Sequence, residues 1–399
     1  DALPIWIALI AASKILVLNF PSEWDPPSLP GVPEPVREQS GLIRLPLMAR
    51  SIAWDPVRNI LWAAVPGRAG EIGNTVAAIE PGSGRILETI FAGSDPGHIS
   101  IASAAGSLFT MSESVPTVTQ IDLESRTRTR TFQIQEDGNF RPISIAAVRS
   151  ERNSVVVVRR AELASYGSNI AVYTNGVRRG ATTGNYTPPQ VTRLPEVPFY
   201  THIYPGDADN TFYAACLELQ GGDGRRDVGR LSVDESGVKT DGTFLAMQLG
   251  STGFSGVQTS NILFDANSVL TSAGEQVTPD LRAIHGTFFV NQSYAASGIP
   301  ISFLDRGQVA YVHNSRLTNS AAITVFDAGS FVPQATLPIP LDFSSAVRAG
   351  DSSIAVLTPT EILFVPLSAV PTWPDSSFTL TSLASGRSEE HTSELQSLT

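Results

Sequence analysis

From Gly41 to Pro366 the chain alternates short apolar runs with clusters of turn-forming residues. The clearest unit is a polar turn followed by a strand-like run. Asp55–Asn59 precedes Ile60–Ala64, Ser103–Gly106 precedes Ser107–Met111, Arg149–Asn153 precedes Ser154–Val158, and Gly206–Asn210 precedes Thr211–Ala215. Asp265–Asn267, Asp305–Gly307 and Ala349–Ser352 introduce Ser268–Ser272, Gln308–Val312 and Ser353–Leu357 in the same way. Runs this short, rich in β-branched and aromatic residues and bounded by Gly, Asn and Asp, read as strands. With Ile60, Ser107, Ser154, Thr211, Ser268, Val309 and Ile354 as markers, the spacings are 47, 47, 57, 57, 41 and 45 residues. A repeat of about 40–50 residues suits one four-stranded blade of a β-propeller.

Further strands fit that template. Ser51–Trp54, His98–Ile101 and Pro142–Val148 precede markers, whereas Asn74–Ile79, Thr117–Ile121, Ser168–Thr174 and Ala322–Phe326 follow them. Asn175-Gly176 after Thr174 is a two-residue hairpin signal. Ile86–Phe91 and Arg128–Ile134 read as fourth strands, and no long stretch has helical periodicity. The predicted fold is all-β, with seven blades of four antiparallel strands. The last unit lacks a clear fourth strand, and Gly41–Leu45 is a spare strand ahead of the first unit. An unpaired sheet edge is costly to leave exposed, so Gly41–Leu45 is expected to complete the last blade and close the ring.

Outside the repeats the pattern changes. Trp6–Phe20 is apolar but too short, with Lys14 inside, for a standard membrane span. Its length fits a signal-peptide core, Ile15–Phe20 equally reads as a buried strand, and Ile10–Pro21 resembles the last strand of an immunoglobulin-like IPT/TIG module. The following stretch carries Pro at 21, 26, 27, 30, 33 and 35, the composition of an extended linker, assigned to 21–40. The propeller is assigned to 41–366 and a second linker to 367–386. Residues 1–5 and 387–399 match conceptual translations of short-read sequencing adapters, so they are set aside like fusion scars. On that reading Trp6–Gly386 is a piece of a longer protein.

Composition narrows the function classes. The apolar share of 42% excludes a disordered chain. One Cys excludes an internal disulfide framework or a Cys-rich zinc site. The net charge of −11, or about −8 for Trp6–Gly386, argues against binding nucleic acid.

Trp54-Asp55-Pro56-Val57-Arg58-Asn59-Ile60-Leu61-Trp62, Gly73-Asn74-Thr75-Val76-Ala77-Ala78-Ile79-Glu80-Pro81 and Gly93-Ser94-Asp95-Pro96 carry a family likeness. They resemble the D-x-x-R-N-x-L-Y, G-N-x-V-x-V-I-D-P and G-S-x-P signatures of bacterial YVTN-type, WD40-like repeats. Trp62 stands where that pattern has Tyr, and Glu80 where it has Asp. The resemblance spans about Gly41–Pro366 in outline. It implies a secreted or cell-surface propeller and defines a blade rather than a reaction.

Candidate chemistry is sparse. His98, His202, His285 and His313 fall in four different units, the first two near channel-lining first strands. No His-x-x-x-His or Cys pairing supports a metal, and a hydrogen-bonding role is the favoured reading. His98, His202, Arg348 and Asp351 are the binding candidates at the channel mouth. Asp207–Asn210 and Asp223–Asp227 are acidic loops without the spaced Gly and Glu of a calcium loop, so they read as turns. Arg126, Arg128 and Arg130 alternate along a predicted outer strand, and period-2 spacing puts all three on one face. Arg159–Arg160 and Arg178–Arg179 read as solvated surface charge. Cys216 reads as a small buried hydrophobe. There is no Gly-x-Ser-x-Gly elbow and no Walker A loop.

The reading that fits best is a non-enzymatic scaffold, secreted or at the cell surface, binding a protein or glycan partner as a monomer. No cofactor, metal or membrane span is expected. The alternative is a lactonase-like hydrolase or lyase with its site at the channel mouth. A redox-cofactor propeller ranks last, because only Trp54 and Trp62 are available inside the ring for stacking.

Overall fold

The computed structural model describes residues 5–11, 14–20, 31–112, 114–134, 140–161, 168–183, 199–217, 226–247, 261–291, 294–295, 298–315, 320–339 and 342–370. It is a seven-bladed β-propeller. The first strands of blades 1 to 7 are Ser51–Asp55, Pro96–Ala102, Phe140–Ala147, Phe199–Pro205, Ile262–Asp265, Gly298–Phe303 and Ser345–Arg348. In blades 1 to 6 the four strands pair antiparallel in chain order. Each first strand touches the next around a closed circle, with that of blade 7 against that of blade 1.

Closure follows the expected route with shorter bounds. Ile43–Leu45 pairs antiparallel with Ile362–Pro366, Leu45 opposite Ile362 and Ile43 opposite Phe364. Val36–Arg37 adds beyond it, so blade 7 is a five-stranded sheet that takes in two residues of the stretch read as linker. Arg44 ties the seam with hydrogen-bonded ion pairs to Glu38 (2.6 Å) and Glu361 (2.5 Å). Two hairpins lie outside the blades, Ile5–Ala11 with Lys14–Phe20, and Phe289–Asn291 with Tyr294–Ala295. Residues 1–4 and 371–399 lie outside the described residues.

The core consists of one apolar cluster at each blade-to-blade interface. Leu61, Ala63 and Val65 pack toward blade 7, whereas Ile60, Trp62 and Ala64 of the same strand pack toward blade 2. Every residue of Ile60–Val65 is buried. A second strand covered on both faces has no solvent side, which is why these runs are continuously apolar rather than alternating. Each fully buried Leu, Ile or Val contributes about 1.5–3 kcal/mol, so the interfaces between sheets supply the stability. The Asn175-Gly176 hairpin is as expected, with φ of 54° and 79°, a conformation that suits this pair.

The Asp-x-x-Arg-Asn motif gains a mechanical meaning. Asp55, fully buried, accepts hydrogen bonds from the backbone N–H groups of Val57 (3.1 Å) and Arg58 (3.3 Å). Arg58 pairs with Asp55 at 3.0 Å, donates to the Ser103 carbonyl of blade 2 at 3.2 Å, and reaches Glu124. Asn59 takes the left-handed conformation, φ 51°, that starts the second strand. The motif is a turn that also clamps the neighbouring blade.

Candidate functional site

The first strands all run from the face of the inter-blade connections to the face of the tight first turns. Their channel-side edges carry backbone N–H groups without a ladder partner. Side chains of the preceding blade meet them. Ser51 accepts from the N–H of Ile99 (3.3 Å), Ser100 from Ala147 (2.9 Å) and Ser144 from Ile203 (3.2 Å). His98 does the same with its Nδ1, accepting from the N–H of Ile145 at 3.3 Å. These serines escaped the sequence reading. Their signal was a polar residue recurring inside otherwise apolar first strands.

His98 is half-buried by surface exposure, yet protein surrounds it closely, as expected of a residue lining a narrow channel. Burial pulls its pKa down from 6.5 to about 4, and the charge of nearby His202 adds to the fall. The accepting Nδ1 matches a neutral ring with its proton on Nε2. His202, on the first strand of blade 4, stacks against Tyr204 with ring centroids 6.2 Å apart. The Tyr204 hydroxyl donates to Asn261 Oδ1 at 3.4 Å, and burial pushes its pKa well up. Tyr204 packs against the cluster shared by blades 4 and 5, where Asn261 leads into the first strand of blade 5, so the two imidazoles are the titratable pair of this region.

Arg348 and Asp351 sit apart from that pair, where the first strand of blade 7 ends at the turn face. Arg348 grips Asp305 of blade 6 through both oxygens, at 2.9 and 3.0 Å. That bond holds the Asp305 carboxyl below the usual carboxylate range. The guanidinium also lies 5.2 Å from the Trp54 ring and 4.9 Å from the Phe303 ring. It thereby joins blades 6, 7 and 1. Asp351 is exposed, its carboxylate 4.0 Å from Arg348. Among the sequence candidates, then, the structure brings His98 together with His202 and Arg348 close to Asp351.

The remaining candidates have settled positions. His313 is buried and bonds Thr324 through Nε2 at 2.8 Å, whereas His285 is exposed on the outermost strand of blade 5. Asp207 pairs with Arg230 at 2.9 Å and accepts from Thr211. Burial raises its pKa, and those bonds outweigh it and leave the carboxyl below its usual range. Trp62 is fully buried between blades 1 and 2. Residues 218–225 and the Cys216 side chain lie outside the described residues. Among the described residues no three of His, Cys, Asp and Glu are grouped to hold a metal ion.

Two readings of basic residues need correction. Arg159 is not solvated surface charge. It is 1% exposed, bonded to Asn169 (2.9 Å) and the Tyr173 hydroxyl (3.0 Å), with the Phe140 ring 4.7 Å away. Nor do Arg126, Arg128 and Arg130 share one face. A bulge opposite Gln120 and Ile121 leaves Thr129 unpaired in the outer strand of blade 2, and an extra residue breaks the period-2 alternation. Arg126, in a left-handed turn, pairs with Glu88 of blade 1 at 3.1 Å, and Arg128 lies over Phe91 of blade 1. The Arg130 side chain instead runs beside Gly176 of blade 3.

Comparison with solved structures returns propellers of other chains. The β-propeller domain of Myceliophteria thermophila Cps50 (Swd1) is 11% identical, TM-score 0.52, over 83% of this chain and 98% of that one. The likeness is one of fold. The computationally designed protein Ika8 is 13% identical, TM-score 0.50, over 81% and 97%. Kuenenia stuttgartiensis hydrazine synthase is 9% identical, TM-score 0.48, over 83% and 97%. No family model matches the chain, and no curated protein matches it. Identities this low carry the WD40-like propeller architecture and nothing of function.

Proposed function

We propose that this propeller is a non-enzymatic binding scaffold that presents one face to a protein or glycan partner. The observation that carries it is the difference between the two faces. On one, the first turns are short and interlocked. Arg58 holds Ser103, Arg149 holds the carbonyls of Gly206 (2.5 Å) and Ala208 (2.9 Å), and Arg348 holds Asp305. The other face is where the chain leaves one blade for the next, and there the sequence separation varies, with four residues between Ile86–Phe91 and Pro96–Ala102, 20 between Val177–Arg178 and Phe199–Pro205, and 14 between Gly237–Met247 and Ile262–Asp265. Binding residues concentrate on loops held by a rigid frame, and an interlocked opposite face supplies that frame. The resemblance to YVTN-type repeats supports placing it in a secreted or cell-surface setting. No helix of the described residues is long and apolar enough to cross a membrane.

The test is binding of the purified chain to immobilised cell-wall glycans and envelope proteins, beside turnover assays on lactones and esters. Saturable binding without turnover is the expected result. Turnover with no binding partner overturns the scaffold. A second reading, a lactonase-like hydrolase, draws on the approach of His98 to His202 in the channel. It requires lactone hydrolysis that disappears in both His98→Ala and His202→Ala.

A further inference from the structure

We infer that a groove where blade 7 meets blade 1 docks a protein partner through a large aliphatic side chain with a carboxylate beside it. The inference rests on the scaffold reading and names the chemistry of the partner. Four pieces of chain converge at the groove. Gly31–Pro33 leads into Val36–Arg37, and Pro46–Met48 leads from the closing strand into Ser51–Asp55. Gly67–Ile72 joins the second and third strands of blade 1, and Thr360 lies in the matching turn of blade 7. Antiparallel order puts all four on the face where the chain passes from blade to blade. The groove encloses about 480 Å³, a size typical of binding clefts. Leu47 and Ile72, both buried, form its floor, and Val32, Pro33 and Pro46 its sides.

The walls are set before a ligand arrives. The Thr75 hydroxyl donates to the Ile72 carbonyl at 2.6 Å, and Asp95 accepts from the N–H of Gly67 at 3.3 Å, so the Gly67–Ile72 segment is pinned at both ends. A preformed apolar cleft loses little conformational freedom on binding. Its lip carries a cation. Arg68 is exposed and gives its Nε–H to the Met48 sulfur at 3.1 Å, which holds the guanidinium at the mouth and leaves its Nη groups for a ligand. Arg68 has no carboxylate partner among the described residues, and the Glu71 carboxylate lies against Gly31 instead. A cation at the lip of an apolar floor is complementary to an acid next to an aliphatic residue. Met48 beside it adapts to aliphatic groups of different shape. Among the described residues no aromatic ring lines the groove, so a pyranose has no ring to stack on. A nucleic-acid backbone would meet one cation on an acidic whole.

The test is NMR of the full chain with isotope-labelled methionine methyl groups, which report from Met48, Met111 and Met247. The probes are blocked hexapeptides with Leu-Asp at the centre, or Leu-Asn, Leu-Lys or Ala-Asp in its place. The Leu-Asp peptide is expected to shift the Met48 signal saturably and to leave that of Met111, buried between blades 2 and 3, unmoved. The Ala-Asp peptide is expected to bind about tenfold more weakly, because it buries less aliphatic surface. Leu-Asn and Leu-Lys are expected to follow Leu-Asp in that order. Arg68→Gln is expected to bind Leu-Asp and Leu-Asn alike, whereas Arg282→Gln on the exposed turn of blade 5 keeps the native order. Thermal melting of each variant separates lost binding from lost folding. A Met48 signal that no peptide moves overturns the groove, as does one moved only by decanoate or only by raising the concentration of the chain. Equal affinity for all four peptides overturns the match of aliphatic group and acid. If the scaffold screen yields a partner while every peptide fails, the groove falls and the scaffold stands. Turnover with no partner removes both.

Discussion

At the scale of single residues, the side chains with the most chemical promise are also fasteners. His98 accepts the backbone N–H of Ile145 just as Ser100 accepts that of Ala147. It takes the place of a serine in a ring of such contacts, and the cost of that substitution is pH sensitivity. Its pKa falls from 6.5 to about 4 on folding, so the unfolded chain binds the proton more readily between those values. This share of stability is complete above pH 6.5, declines as pH falls, and is gone below about 4. A shift of that size corresponds to about 3 kcal/mol at most. Urea unfolding at pH 7, 5.5 and 4.5 checks it. The stability of the native chain is expected to fall across the series more steeply than that of His98→Gln, whose side chain still offers an acceptor but does not titrate. Parallel profiles would mean that His98 is not held neutral in the channel.

Blades and turns were the most legible features of the sequence, and the reason is periodicity. Ser154–Val158 reads as a strand because it is buried from both sides, between the clusters shared with blades 2 and 4. Asn175-Gly176 reads as a hairpin because few other pairs adopt left-handed angles twice in succession. Gly176→Ala puts a Cβ at φ 79° and within 3.1 Å of the Phe132 side chain. A loss of about 1–2 kcal/mol is expected, read as a lower urea midpoint at unchanged slope. Asn175→Gly, which leaves the turn permitted, is expected to change stability far less, and equal losses from both would refute the strained-turn account. The candidate site was less legible. The bulge at Thr129 is one residue with no sequence marker, yet it separates Arg128 from Arg130. The burial of Arg159 depends on Phe140 and Tyr173, which approach it only after blade 3 has formed. Spacing along the chain reports neither a one-residue bulge nor the side chains that neighbouring strands bring around a residue.

For the molecule as a whole, the decisive contact is the most distant one in sequence. Leu45 faces Ile362 and Arg44 bonds Glu361 across 317 residues. All the other blades are built from consecutive strands, so each can form locally, whereas blade 7 needs both ends of the ring. Loop closure over such a span costs entropy that the blade interfaces must offset. Leu45 is fully buried in the cluster shared by blades 7 and 1, with Leu61, Leu357 and Phe364. Leu45→Ala is therefore expected to cost about 2–5 kcal/mol, the range for emptying a packed leucine site. Its signature should exceed a local cavity. Opening the seam frees the second strand of blade 1, Ile60–Val65, and the third strand of blade 7, Ile362–Pro366, from one shared cluster. Amide exchange is expected to accelerate together in those two strands while Ser154–Ala161 of blade 3 keeps its protection. Acceleration confined to blade 7 would show that the seam is a local edge rather than the lock of the ring. Equal acceleration in all the blades would show that the propeller opens only as one unit.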